Sequence, residues 1–237
     1  MGFVNAQAAR VLIGDYHYSP VLADFSFSAD TDMANVSTLA DSSKQMLPTL
    51  NGSTFSGTGW LDTDGAANGH LDQLGDWVQD IATPLTWLPS GTTLGAECEM
   101  ILALESNFMV GSKVASVSEF SLAGNNADRT DFGKSLHALA ARTSSSQETA
   151  VDNTASSTGG GVAHLHVTAF SGFSGVAVIV EHSTDNSSFS TLASFTSAAG
   201  VTSERVAVTG TVNRYVRAKW TVTGSGSITF LVSFARR

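Results

Sequence analysis

The stretch "GAECEMILALESNF" (residues 95–108) decides how this chain is read. Successive side chains of a β-strand point to opposite faces, so residues two apart share a side. Ala96, Cys98, Met100, Leu102 and Leu104 then form one wholly apolar face. Glu97, Glu99, Ile101, Ala103 and Glu105 form the other, which presents three carboxylates. The alternation predicts a strand with one side in a core and an acidic side turned to water.

The same period recurs outward from that strand. In "VASVSEFSLAG" (114–124) Phe120 and Leu122 oppose Glu119 and Ser121, and in "ADFSFSAD" (23–30) Phe25 and Phe27 oppose Asp24, Ser26 and Ser28. "ARVLIGD" (9–15) and "STFSGTGWLD" (53–62) read as further strands. Beyond residue 161, "VAHLHVTAF", "GVAVIVEHS", "FSTLASFTS", "SERVAVTG", "RYVRAKWTVTG" and "SITFLVSFARR" read as six short strands between turn signals. The fold class expected is mainly β. One segment departs from it: in "GHLDQLGDWVQDIATP" Leu71, Leu74, Trp77, Val78 and Ile81 recur at helical spacing opposite Asp72, Asp76 and Asp80, which predicts one amphipathic helix ending before Pro84. The polar, glycine-terminated run from Thr143 to Gly161 reads as a connection. The expected organisation is a first domain over 1–145, a linker at 146–161 and a C-terminal β-sandwich over 162–237.

The chain carries 21 acidic and 12 basic residues, a formal net charge of -9. Of these, 16 acids and 6 bases lie in residues 1–145, so the acidity belongs to the first part. Such a balance argues against a surface that grips nucleic acid or anionic lipid. Cys98 is the single cysteine, which leaves no disulfide within the chain and no cysteine-based zinc cluster. "MGFVNAQAARVLIGDYHY" lacks a basic run followed by an apolar one, Ala6 stands where a myristoylation signal needs Ser or Thr, and no apolar run is long enough to span a bilayer. The expectation is a soluble protein without a membrane partner.

Few residues suggest chemistry. His164 and His166 share a strand face and could reach one metal, but no third ligand stands near them in sequence, and a structural role is the simpler reading. Glu97 and Glu99 have the spacing of paired carboxylates, yet their face offers Ile101 and Ala103 where a glycoside hydrolase has aromatic sugar platforms. No G-x-S-x-G elbow, phosphate-binding glycine loop or H-E-x-x-H occurs. No enzyme, cofactor or metal is expected.

"LADSSKQMLPTLNGSTFSGTGWLD" (39–62) gathers Asp41, Ser42, Ser43 and Lys44 before a proline and a glycine. It reads as an exposed connection between strands ending near Asp30 and starting near Ser53, and long ordered connections are often functional. The order of the pieces is informative here. "FSFSADTDMANVSTLADSSKQMLPTLNGSTFSGTGWLD", a helix, "ILALESNFMVGSKVASVSEFSLAG" and "ADRTDFGKSLH" together resemble the major tail tube proteins of long-tailed, non-contractile bacteriophages. The matching elements are Asp41, Ser42, Lys44, Pro48, Leu50, Gly57, Gly59 and Asp62, within a similarity over residues 8–140. The C-terminal run is similar to the second half of tail proteins from phages of actinobacteria and to discoidin-like jelly-rolls.

The resemblance implies a tail-tube β-sandwich or barrel flanked by one helix, with a jelly-roll-like sandwich after it. Copies would form hexameric rings whose sheets join into an inner barrel, and rings would stack into the tube through which double-stranded DNA is ejected. The implied partners are further copies of the chain, the tape measure and terminator proteins, and DNA in passage. The implied location is the virion tail, with assembly in the host cytoplasm. Asp41, Ser42, Lys44, Pro48 and Leu50 would belong to a ring-stacking arm. Asp24, Ser26, Ser28, Glu97, Glu99, Glu105 and Glu119 are expected to face the lumen, because a conduit for a polyanion must not bind it. Two alternatives stand beside this reading. One is a virion surface module binding host glycans through Trp220, Tyr215 or Phe189; the other is a capsid decoration or tail terminator protein.

Overall fold

The computed structural model describes residues 6–61 and 82–237. The amphipathic segment expected as a helix, with Leu71, Leu74, Trp77, Val78 and Ile81, lies outside these residues. Pro84, expected just past its end, stands in a strand. In chain order the strands are β1 (Arg10–Ile13), β2 (Tyr16–His17), β3 (Leu22–Asn35), β4 (Met46–Trp60), β5 (Thr83–Leu88), β6 (Glu97–Gly111) and β7 (Glu119–Asn126), then β8 (Asp131–Arg142), β9 (Ser146–Gln147), β10 (Val151–Asp152), β11 (Gly161–Ser183), β12 (Ser190–Ser194), β13 (Thr202–Val208) and β14 (Tyr215–Arg236). Every described strand pairing is antiparallel. The protein is mainly β, and it divides into two compact units.

The first unit comprises residues 1–20, 83–100 and 131–237. Its centre is the pair β11 and β14, joined from Gly161↔Arg236 to Ser183↔Tyr215. The sequence suggested four short strands here, with turns near Gly172 and Gly224. These are instead register shifts within two long strands, with Gly172 and Gly224 at φ 79° and 91°. Glycine permits that local geometry, which bends a strand without ending its pairing. Leu165, Val167, Val176 and Val178 of β11 pack with Trp220, Phe230 and Val232 of β14 in one buried core. A second cluster joins Leu12, Leu88, Cys98 and Met100 to Val162 and Leu231.

Residues 146–161 are not a free linker. β9 and β10 both pair with β14. Trp220 Nε1 donates to Ser144 O at 2.8 Å, and Arg142 donates to both His137 Nε2 and Glu148, each at 2.8 Å. The polar composition of this run reflects hydrogen-bonded edge pieces, and the compact units divide elsewhere than at the boundary the composition suggested.

The second unit comprises residues 21–82 and 101–130. Its described strands lie in the order β3, β4, β7 and the later part of β6. One side of this sheet is packed: Ser53, Phe55, Gly57, Gly59, Phe120, Leu122 and Gly124 are buried, with Phe25 and Phe27 half-buried. Two aromatic rings make that side thin. Phe55 is paired with Gly124 and Phe120 with Gly59, and each ring lies over the glycine opposite it. A Cβ at Gly59 would collide with Val21 O and the Phe120 ring, and one at Gly124 with Leu104 O and the Phe55 ring.

Candidate assembly surface: a cation-free sheet face and a projecting hairpin

The other side of the second unit's sheet is polar. Directly paired residues of antiparallel strands share a side. The register therefore groups Asp24, Ser26, Ser28 and Asp30 of β3 with Thr54, Ser56 and Thr58 of β4, Glu119, Ser121 and Asn125 of β7 and Asn107 of β6, and adds Trp60, Leu104, Met109 and Ala123 as the apolar members of that side. Ser26 and Ser56 hydroxyls bond each other at 2.8 Å across the ladder. The described strands of this unit contain no Lys, Arg or His: between residues 21 and 60 and between 101 and 130 the only cations are Lys44, Lys113 and Arg129, all outside strands. A face with hydroxyls, amides and carboxylates but no ammonium or guanidinium has nothing with which to pair a phosphate.

The seven residues expected on one acidic face are thus only partly brought together. Asp24, Ser26, Ser28 and Glu119 share the polar side. Glu97 and Glu99 belong to the first unit, where they pair with Lys134 and Phe132. Glu105 is paired with Gly124, which puts it on the packed side. The alternation of 95–108 was read with one side covered throughout. In the structure Cys98 and Met100 are buried before the division between units, and Ile101 and Ala103 after it. The covered side changes along one strand, and parity alone does not reveal that. Both Glu105 carboxylate oxygens are buried without a hydrogen-bond partner among the described residues, and burial pushes its pKa up to about 7.

The arm residues sit on a hairpin longer than the sequence suggested. β3 runs to Asn35 and β4 begins at Met46, so the connection is only residues 36–45. β7 stops pairing with β4 at Thr54, and Ser53 N donates to Asn126 Oδ1 of β7 at 2.8 Å, which leaves residues 46–52 of β4 with β3 as their sole described strand partner. At about 3.3 Å per residue this ribbon projects roughly 25 Å. Its turn is closed by its own bonds: Thr38 N and Oγ1 both donate to Asp41, at 2.6 and 3.1 Å, and Gln45 N donates to Ser37 Oγ at 2.8 Å. Asp41 therefore shapes the turn, while Ser42 and Lys44 are exposed on it. Pro48 lies on β4 where the second edge is unpaired, the kind of position that tolerates a missing N–H. Met33, Val36, Leu39, Met46, Leu47 and Leu50 are all exposed, Leu50 to 75%. The polar cluster around Asp41 suggests a connection, and the apolar ribbon beside it leaves its trace in the sequence only as "MLPTL".

The remaining candidates are structural. His164 and His166 do share a face, and both are fully buried in the first unit. His166 Nδ1 lies 2.6 Å from Gly14 O, so it carries the proton; its Nε2 then accepts from Thr86 Oγ1 at 2.8 Å, and Thr86 accepts from His164 Nδ1 at 3.1 Å. No group of three or more metal-ligating side chains occurs among the described residues. Trp220 is 3% exposed, within the core, so it is not a surface platform. Phe189 and Tyr215 are half-buried, each under an arginine: Arg217 at 3.7 Å and Arg214 at 4.9 Å from the ring centre.

No protein-family profile and no curated protein sequence matches the chain. Among solved structures, it is similar to a chain from the virion of a native gene transfer agent particle, at TM-score 0.46 and 11% identity, covering 55% of this chain and 98% of that one. It is similar to the SPP1 tail tube at TM-score 0.43 and 8% identity, covering 54% and 81%. The Dit protein of SPP1, a hub adsorption apparatus of phages infecting Gram-positive hosts, matches at TM-score 0.38 and 9% identity over 96% of this chain and 99% of that one.

Proposed function

We propose that this chain is a structural subunit of a phage tail tube and not an enzyme. Copies join edge to edge into hexameric rings, and rings stack into the conduit through which DNA is ejected. The observation that carries the reading is the second unit's sheet: four described strands without a single cation, with the outer edge of β3 unpaired among the described residues. Unpaired edges are templates for another chain, and a ring formed through them leaves none exposed.

In this reading Asp24, Ser26, Ser28 and Glu119 face the bore, together with Asp30, Thr54, Ser56 and Thr58. Glu97, Glu99 and Glu105 are not part of that lining, because they lie in the other unit or on the packed side. Duplex DNA carries about one negative charge per 1.7 Å, and each cation that met a phosphate would add salt-dependent affinity and slow transit. A wall of hydroxyls and sparse carboxylates avoids this. The hairpin with Asp41, Ser42, Lys44, Pro48 and Leu50 is the ring-stacking arm; its exposed apolar side chains support an assembly role, since a patch of that kind on a monomer marks a contact surface. The tape measure and terminator proteins are the other expected partners, in the virion tail and, during assembly, in the host cytoplasm.

Negative-stain microscopy of concentrated purified protein tests the proposal. Rings or hollow tubes are the expected outcome. A dispersed, monomeric sample by microscopy and by sedimentation overturns it.

A further inference from the structure

The two ends of the second unit's sheet are unlike each other, and both are apolar. At one end stands the hairpin ribbon described above, with Met33, Leu39, Met46, Leu47 and Leu50 exposed. The register sets the β6–β7 connection, residues 112–118, at the opposite end: Gly111 and Trp60 both pair with Glu119 there, at the end of β4 away from the arm. That far end exposes Trp60, Met109, Val110, Val114 and Val117. Trp60, Met109, Gly111, Glu119 and Phe120 line a groove of about 360 Å³.

We infer that the hairpin of one copy docks on the Trp60/Met109/Glu119 end of the next copy along the axis. The inference rests on the tube reading and names the receiving surface for its arm. Charge selects a second copy as the occupant. The hairpin tip carries Lys44, and the groove carries Glu119; the tip also carries Asp41, and the far-end connection carries Lys113. Each end thus offers both members that the other needs. A contact between unlike ends cannot close on itself as a two-fold pair does, so it repeats with a single polarity. The apolar ribbon is exposed on both of its sides, Met33, Met46 and Pro48 sharing one and Leu47 the other, as befits an element received into a groove and not laid on a flat surface.

Charge exchange tests the pairing in the full chain. Lys44→Glu and Glu119→Lys should each lower tube elongation at least tenfold by sedimentation and microscopy, and the two together should restore it. Singles that elongate like the parent, or a double variant no better than either single, overturn the inference. Cross-linking gives a second reading, because native Cys98 is buried. Leu39→Cys and Val117→Cys proteins, mixed and treated with copper-phenanthroline as oxidant, should give covalent dimers that neither gives alone. Tubes that form without this cross-link, or equal self-cross-linking of Leu39→Cys, overturn the pairing while the tube reading stands. If the parent chain forms no rings or tubes, both fall.

Discussion

Thr86 carries one hydroxyl that two buried histidines need at once. It donates to His166 and accepts from His164, while His166 hands its own proton to Gly14 O. Replacing it by Val keeps the shape and removes both bonds, and should cost about 1–3 kcal/mol in urea denaturation, the usual penalty for orphaned buried polar groups. The same chain makes stability pH-dependent. Burial holds His166 down to about 4, and burial with nearby His166 and Arg205 holds His164 well below its ordinary value. The unfolded chain binds these protons from about pH 6.5 downward while the folded chain refuses them. Stability should therefore be flat above pH 7 and fall as pH drops from about 6.5 toward 4, measured as the urea midpoint, with His137 and His17, also lowered to about 4, adding to the slope. The sequence showed that His164 and His166 share a side. It could not show Thr86, 78 residues from His164, because pairing partners far apart in sequence leave no periodic trace.

The elements tell a similar story. Alternation located many of the strands, though not β5 or β8, and separated Phe25 and Phe27 from Asp24, Ser26 and Ser28, because a strand half in water must alternate. It failed where burial changes sides, between Met100 and Ile101, and where a glycine bends a strand instead of ending it, at Gly172 and Gly224. It also failed at the hairpin, where β4 begins at Met46 and not near Ser53, because an apolar ribbon with no core of its own looks like a loop. The Phe–Gly pairs of the second unit are a further case: the glycines were visible in "GTGW" and "LAGN", but not the rings above them. Gly124→Ala should lower stability by about 1–3 kcal/mol, since the new methyl must displace both the Phe55 ring and the Leu104 carbonyl. Ser56→Ala on the polar side should change stability by under about 0.5 kcal/mol, being solvent-exposed. Thermal melts of the two variants side by side check the contrast.

At the scale of the whole molecule, the proposed function was legible in the sequence as an order of segments and a deficit of positive charge, and in the structure that deficit extends over every described strand of the second unit. If the polar side of that unit's sheet lines a bore, adding cations there should harm passage without harming the fold. Thr54→Lys with Ser56→Lys, both outside the groove at the Trp60 end, should yield a protein with an unchanged melting temperature and normal tubes that retain duplex DNA at about 50 mM salt and release it at about 200 mM, whereas the parent retains none at either. Fluorescence anisotropy with labelled DNA reads this directly, and the steep salt dependence distinguishes phosphate pairing from other adhesion.

The segregation of every lysine and arginine of the second unit into Lys44, Lys113 and Arg129, off the strands, has an evolutionary corollary. Polar-side positions such as Ser26, Thr54 and Ser56 contribute little to packing, so drift among serine, threonine, asparagine and glutamine should be nearly free. If that side lines a bore, a lysine would fold just as well and be eliminated only when a genome fails to leave the particle. Descendants of this sequence should therefore vary in identity along that side and agree in one thing, the exclusion of basic side chains.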